Sequence, residues 1–181
     1  MSIITYITPT FAVAGAMSAE DIAEASRLGF RAIISNRPDG EEPDQLLARE
    51  QARLAWANGL QFRHIPVTKV DVFADTVVDA MAEALDGLAG PILAHCMSGM
   101  RSAIVWGAAS AQRLSASEII TTLAAAGFDL ELLREDFEAQ AERFALPPRQ
   151  PASVQDAQCV ELQSARAEPM STAGLPSQDA A

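Results

Sequence analysis

The sequence is poor in positive charge. Its 181 residues hold 13 Lys and Arg against 24 Asp and Glu, a formal net charge of −11. A nucleic-acid binder needs a basic footprint to displace counterions, so nucleic acid is excluded as a partner. An anionic membrane surface is excluded on the same ground. Long hydrophobic runs are also missing, and nothing approaches the ~20 apolar residues of a spanning helix. The opening stretch MSIITYITPTF has neither a basic region nor a long apolar one, so no secretory leader is expected. Cysteine is scarce: Cys96 and Cys159 lie far apart. No disulfide framework is expected, and the compartment implied is a reducing cytoplasm. Cys96 with His64 and His95 makes no metal set, and no Gly-rich nucleotide loop is present. Neither a metal nor another cofactor is expected.

What is present is an ordinary globular composition, with 49% apolar and 20% charged residues. The composition changes at Pro147-Pro148. Residues 1–146 read as one domain. Residues 147–181, rich in Pro, Ser, Gln and Ala, read as a disordered tail that contains Cys159.

Within the domain, short apolar runs alternate with helical patterns. Ile3–Ile7 and Phe11–Ala14 read as strands joined by a turn at Thr8-Pro9-Thr10. Ser18 with Asp21 has the spacing of a capping box before a helix whose apolar face is Ile22, Ala25 and Leu28. Arg31–Ser35 is a buried-type strand. Pro43-Asp44 opens a helix through Leu46, Leu47, Leu54 and Trp56. Gln61–Ile65 is a further core strand, 71–88 a helix and Pro91–His95 a strand. Helices follow over 102–113, 117–126 and 130–144. Strands alternating with helices predict an α/β domain with a central, mostly parallel sheet flanked by helices. Ligands of such sheets bind beyond the carboxyl ends of the strands. Two ends carry unusual residues: 35–40 and 95–102.

The second of these is the sharper signal. A strand ends at His95, Cys96 follows at once, and Arg101-Ser102 open a helix. A tight loop between strand and helix can turn the amides of Met97, Ser98, Gly99, Met100 and Ser102 inward as an anion-binding nest. The helix N-terminus adds free donors and the positive end of its dipole. Arg101 can present a bidentate fork to an oxyanion. A cysteine in that field is expected to be a thiolate, and Cys96 is the candidate nucleophile. The bland alternative is a buried, inert cysteine.

His95-Cys96-x-x-Gly99 followed by Arg101-Ser102 resembles the signature loop of tyrosine-phosphatase-like enzymes. Four residues separate Cys96 from Arg101, where those enzymes usually have five and many rhodanese-type sulfurtransferases have four. Together with IISNRPDGEEP (33–43) and HIPVT (64–68), CMSGMRSA (96–103) resembles the small bacterial phosphatase-like domain of the beta-lactamase-hydrolase-like proteins. The resemblance covers about residues 1–115. It implies a tyrosine-phosphatase-like fold with Cys96 as nucleophile, Arg101 as anion clamp and His95 as a loop-shaping residue. Met97 departs from the pattern, because an Arg is common there.

The resemblance also implies a general acid on a loop upstream of the cysteine. Asp71 is the carboxylate of the matching loop; its other reading is a helix cap. Asp39 is a second candidate, or a plain turn residue in Pro-Asp-Gly. Arg37 either extends the cationic field or pairs with Glu41 or Glu42. Those two glutamates read as a solvated loop, and His64 as a half-buried strand residue.

Three functions remain. The first is a phosphatase-like hydrolase in which Cys96 attacks phosphorus. The second is a rhodanese-like sulfurtransferase carrying a Cys96 persulfide. The third is a weakly active anion-binding module. The expected partner is a small anionic substrate or a phosphoprotein. Oligomeric state is not encoded legibly.

Overall fold

A computed structural model describes residues 3–145. The expected tail, with Cys159, lies outside the described residues. The chain order is β1 (Ile4–Thr8), β2 (Phe11–Ala14), α1 (Ala19–Arg27), β3 (Ala32–Ser35), α2 (Ala48–Ala57), β4 (Gln61–His64), α3 (Asp75–Gly87), β5 (Ile92–His95), α4 (Met100–Ser110), α5 (Ala116–Ala125), a 3-10 turn (Glu131–Leu133) and α6 (Arg134–Ala145).

The five strands form one sheet in the order β1-β2-β5-β3-β4. β1 runs antiparallel to β2, and the other pairings are parallel. β5 is the centre, with His95 in register with Ala14 on one side and Ser35 on the other. The alternation of side chains along a strand divides the core in two. Ile92 and Ala94 face the larger cluster, with residues of α3, α4, α5 and α6. Leu93 faces the smaller one, with residues of α1 and α2. β2, β3 and β5 are buried throughout, which is why they read as continuous apolar runs.

Several expectations need correction. β4 is an edge strand with alternating exposure, not a core strand. α2 begins at Ala48, well after Pro43-Asp44. The segment before it is tied by side chains instead of a helical ladder. Gln45 Nε2 donates to the Pro38 carbonyl (2.7 Å), and the Ala48 N–H donates to Asp39 Oδ1 (2.7 Å). Leu28, assigned to the apolar face of α1, is exposed, and so is Trp56 of α2. α3 begins at Asp75, so Asp71 is not its cap. The capping box at the start of α1 forms as read: the Asp21 N–H donates to Ser18 Oγ (3.2 Å) and the Ser18 N–H to Asp21 Oδ2 (3.0 Å). Ser115 and Glu118 make an equivalent box that starts α5 one residue earlier than expected.

α4 packs closely against α5 and α6 at Gly107. A Cβ there would lie 2.9 Å from Phe137 Cε1 and 3.0 Å from Ile119 Cγ2, and both side chains are fully buried. Alanine is the better helix former by about 1 kcal/mol. Overpacking outweighs that, so Gly107→Ala should destabilise the domain by about 1–3 kcal/mol. Urea unfolding is the check, and an unchanged midpoint would show that the three-helix contact is slack.

Candidate active site

The carboxyl end of β5 delivers two side chains to opposite sides. His95 continues the Leu93 face and meets α2, where its Nε2 lies 2.7 Å from Gln51 Oε1. Gln51 Nε2 donates to the Leu46 carbonyl (2.9 Å), so with this amide orientation the His95 Nε2–H is the donor. Burial pushes the His95 pKa down to about 4, helped by Arg37 and His64 and opposed by the Cys96 backbone. The ring is therefore neutral near pH 7.

Cys96 turns the chain towards α4. The loop that follows is pinned to β2 and its continuation: the Ala16 N–H donates to the Met97 carbonyl (3.1 Å) and the Cys96 N–H to the Ala14 carbonyl (3.4 Å). Gly99 caps α4 with φ +90, the left-handed region. A Cβ there would meet the Ala14 carbonyl at an ordinary contact distance of 3.4 Å, so the positive φ is what favours glycine. Its N–H points back and donates to Cys96 Sγ (3.2 Å).

Cys96 is fully buried. Burial raises a thiol pKa, but the amides of Ser102, Ser98, Gly99 and Arg101 converge on the sulfur and outweigh it. The net shift is downward, and the Arg101 guanidinium also interacts with the sulfur. Ser102 Oγ is buried without a hydrogen-bond partner. Met97 and Met100 extend exposed side chains, so the loop presents backbone inward and thioethers outward.

This lowered pKa sets an expected result. The ultraviolet thiolate absorbance of the protein minus that of Cys96→Ser should titrate below the ordinary thiol value of about 8.5. A group with a depressed folded pKa contributes stability that is present in full above its unfolded pKa. That contribution is lost as pH falls through the folded value. A difference titration at or above the ordinary value would show that the amides do not hold a thiolate.

Arg101 is held on one edge. Its Nη1 donates to the Val67 carbonyl (2.7 Å) and lies 2.7 Å from Glu41 Oε1; its Nη2 donates to Glu41 Oε2 (2.9 Å). Three of the five guanidinium hydrogens are thereby used. The Nε–H and one Nη2–H remain, and they form the other bidentate edge. Glu41 also accepts from Arg37 Nε (2.9 Å), and Arg37 Nη2 donates to Glu42 (2.6 Å). The Arg101 pair, with Arg37 adding, holds the Glu41 carboxyl below the usual carboxylate range against the opposing effect of burial. Arg37 is buried, and its carbonyl lies 3.0 Å from His64 Nε2. It thus pairs with both glutamates.

Asp71 Oδ1 accepts from the Thr68 N–H (2.6 Å) and closes a turn just after Val67. Asp39 is engaged with α2. Gln51 is not singled out by the sequence, and Glu41 reads there only as a solvated loop residue or a partner of Arg37. The Arg37–Glu41 spacing is visible there, but the partner Arg101 lies sixty residues on. Among the described residues, no group of three or more His, Cys, Asp or Glu could hold a metal ion. Likewise among them, no helix is long and apolar enough to cross a membrane.

A parallel sheet ending in a cysteine loop at a helix N-terminus, with an arginine at its mouth, defines a phosphatase-type domain of tyrosine-phosphatase-like fold. Solved structures agree. A Neisseria meningitidis protein of proposed phosphatase activity is 29% identical with a TM-score of 0.65, covering 76% of this chain and 97% of its own. The active form of Tk-PTP shares the fold at 22% identity and a TM-score of 0.56, over 77% of this chain and 97% of its own. Residues 4–113 match the phosphatase-like domain of the beta-lactamase hydrolase-like protein, and the chain belongs to that family. The beta-lactamase hydrolase-like protein of Xylella fastidiosa (strain Temecula1) is 30% identical over 129 residues, 70% of this chain. The chain spans about 30% of that relative's length.

Proposed function

We propose that the domain is a cysteine-dependent phosphoesterase working through a Cys-x4-Arg loop. The observation that carries this reading is an Arg101 whose Nε/Nη2 edge is not taken by Val67 or Glu41 and whose guanidinium interacts with a Cys96 sulfur ringed by four amides. The Cys96 thiolate attacks phosphorus and an S–P bond forms. The P–O bond to the leaving group breaks, and its electron pair stays on oxygen. Arg101 and the amides of Ser98, Gly99 and Ser102 stabilise the equatorial oxygens. Water then attacks phosphorus and forms a P–O bond while the S–P bond breaks with its electron pair left on sulfur, so inorganic phosphate, carrying the water's protons, leaves and the thiolate is restored. Asp71, in the turn adjoining the Val67 carbonyl that holds Arg101, is the proposed proton donor to the leaving oxygen. His95 shapes the loop, and Arg37 supports the cradle through Glu41. The proposed setting is the cytoplasm, with 1–146 as the working domain and 147–181 as an appended tail.

One observation favours sulfur transfer instead. The Asp71 carboxylate is engaged by Thr68 N–H, and a sulfurtransferase needs no acid at that place. In that reading Cys96 takes the outer sulfur of thiosulfate, releasing sulfite and leaving a persulfide.

Intact-protein mass spectrometry of the protein and of Cys96→Ser, each incubated with an aryl phosphate or with thiosulfate, separates the two. Cys96-dependent phosphate release supports the phosphoesterase. A Cys96-dependent gain of one sulfur, removable by cyanide, replaces it with the sulfurtransferase.

A further inference from the structure

Two clefts flank the cysteine loop, and they differ in charge. One, of about 440 Å³, is walled by Asp21, Arg37, Glu42 and Asp44 and floored by His95 and Gln51. The other, of about 530 Å³, runs from the loop residues Met97 and Ser98 past Val13 to Ile3, Thr5 and Phe128. No charged side chain lines it among the described residues. Ile3 and Met97 are exposed in it, at 85% and 55%.

The cradle has little cationic charge to spare. Arg37 is matched by Glu41 and Glu42, and Arg101 already holds Glu41. The loop adds methionines where a cation could stand. A phosphoryl group fits the free Arg101 edge and the amides. A second anionic group on the same molecule would meet carboxylates on one side and apolar walls on the other. Burying an anion without a partner is costly, whereas burying apolar surface is favourable.

From this contrast we propose that the uncharged groove beside Met97 receives the body of the substrate, which is a phosphomonoester of an apolar alcohol or phenol, and that the site selects against molecules carrying further anionic groups. The inference rests on the phosphoester reading of the cradle. It extends that reading by assigning a specificity role to Met97, Phe128 and Ile3. All three line that groove.

Binding of phosphonates to Cys96→Ser, measured by calorimetry at a pH above their second ionisation, tests it without turnover. Benzylphosphonate should bind about tenfold or more tightly than methylphosphonate. Phosphonoacetate, with its added carboxylate, should bind more weakly than methylphosphonate. In Cys96→Ser/Met97→Ser the benzyl-to-methyl ratio should fall towards one, with methylphosphonate as the internal reference. Benzylphosphonate should also shift the NMR signals of Ile3 and Phe128, which methylphosphonate should leave in place. Equal affinity for benzyl and methyl, or tightest binding of phosphonoacetate, overturns the groove alone. Failure of every phosphonate to bind overturns the cradle and the groove with it.

Discussion

Cys96→Ser is expected to abolish turnover, by about 10⁴-fold or more, while the domain folds as before. The reason lies in what the amides of Ser98, Gly99, Arg101 and Ser102 can do. They lower the pKa of the thiol against the opposing effect of burial. An alcohol starts too high for the same field to ionise it, so the variant keeps the cradle and loses the nucleophile. The fold is spared because serine is close to cysteine in size, and its oxygen can still accept from the Gly99 N–H. The oxyanion site should even gain affinity, since a negative sulfur no longer opposes the ligand. Steady-state rates on an aryl phosphate, with circular dichroism of the same sample, check both halves. Retention of wild-type rate by a pure Cys96→Ser sample would remove Cys96 from the chemistry.

Arg101→Ala is the second large effect, a loss of about 10²–10⁴-fold in kcat/KM together with weaker sulfate binding. Arg101 has two bonded tasks and one open edge. Nη1 and Nη2 hold Val67 and Glu41, and Nε with the remaining Nη2 hydrogen is the edge proposed for the anion. Lysine cannot divide its donors in that planar way, so Arg101→Lys should recover only a small part of the loss. Glu41→Gln separates positioning from charge. The amide can still occupy the Arg101 edge but holds it less firmly, so turnover should fall several-fold and sulfate affinity should change less than in Arg101→Ala. Isothermal titration with sulfate reads the binding directly. Unchanged affinity in Arg101→Ala would place the anion elsewhere.

The parts of this fold that were legible are those governed by local rules. Phe11–Ala14, Ala32–Ser35 and Ile92–His95 are unbroken apolar runs because they are buried on both faces. Ser18 and Asp21 announced α1 because a capping box is local chemistry. The loop at 96–101 was visible because its strand, glycine and helix start are contiguous. Other features depend on distant partners and gave no local signal. α2 starts late because Arg37, Asp39 and Gln45 hold residues 38–47 in side-chain contacts. Glu41 looked like a solvated loop residue because Arg101 and Val67 arrive from other elements. Trp56, read with Leu46, Leu47 and Leu54 as a residue of α2, is 71% exposed.

The last strand in the chain lies at the middle of the sheet. Until β5 enters, β1-β2 and β3-β4 are two ribbons with nothing between them. On the β3 side the Arg31 amide donates to the Pro91 carbonyl and the Asn36 amide to the His95 carbonyl, and on the β2 side the Ile92 and Cys96 amides donate to the Thr10 and Ala14 carbonyls, so both edges are sealed by the same short segment. That segment ends in the sulfur. The keystone of the architecture and the reactive atom are therefore adjacent along the backbone, and a molecule with an unfinished sheet has no cradle. Activity, once measured, becomes a gauge of completed assembly: partly folded chains contribute silence to an assay, not a low background rate.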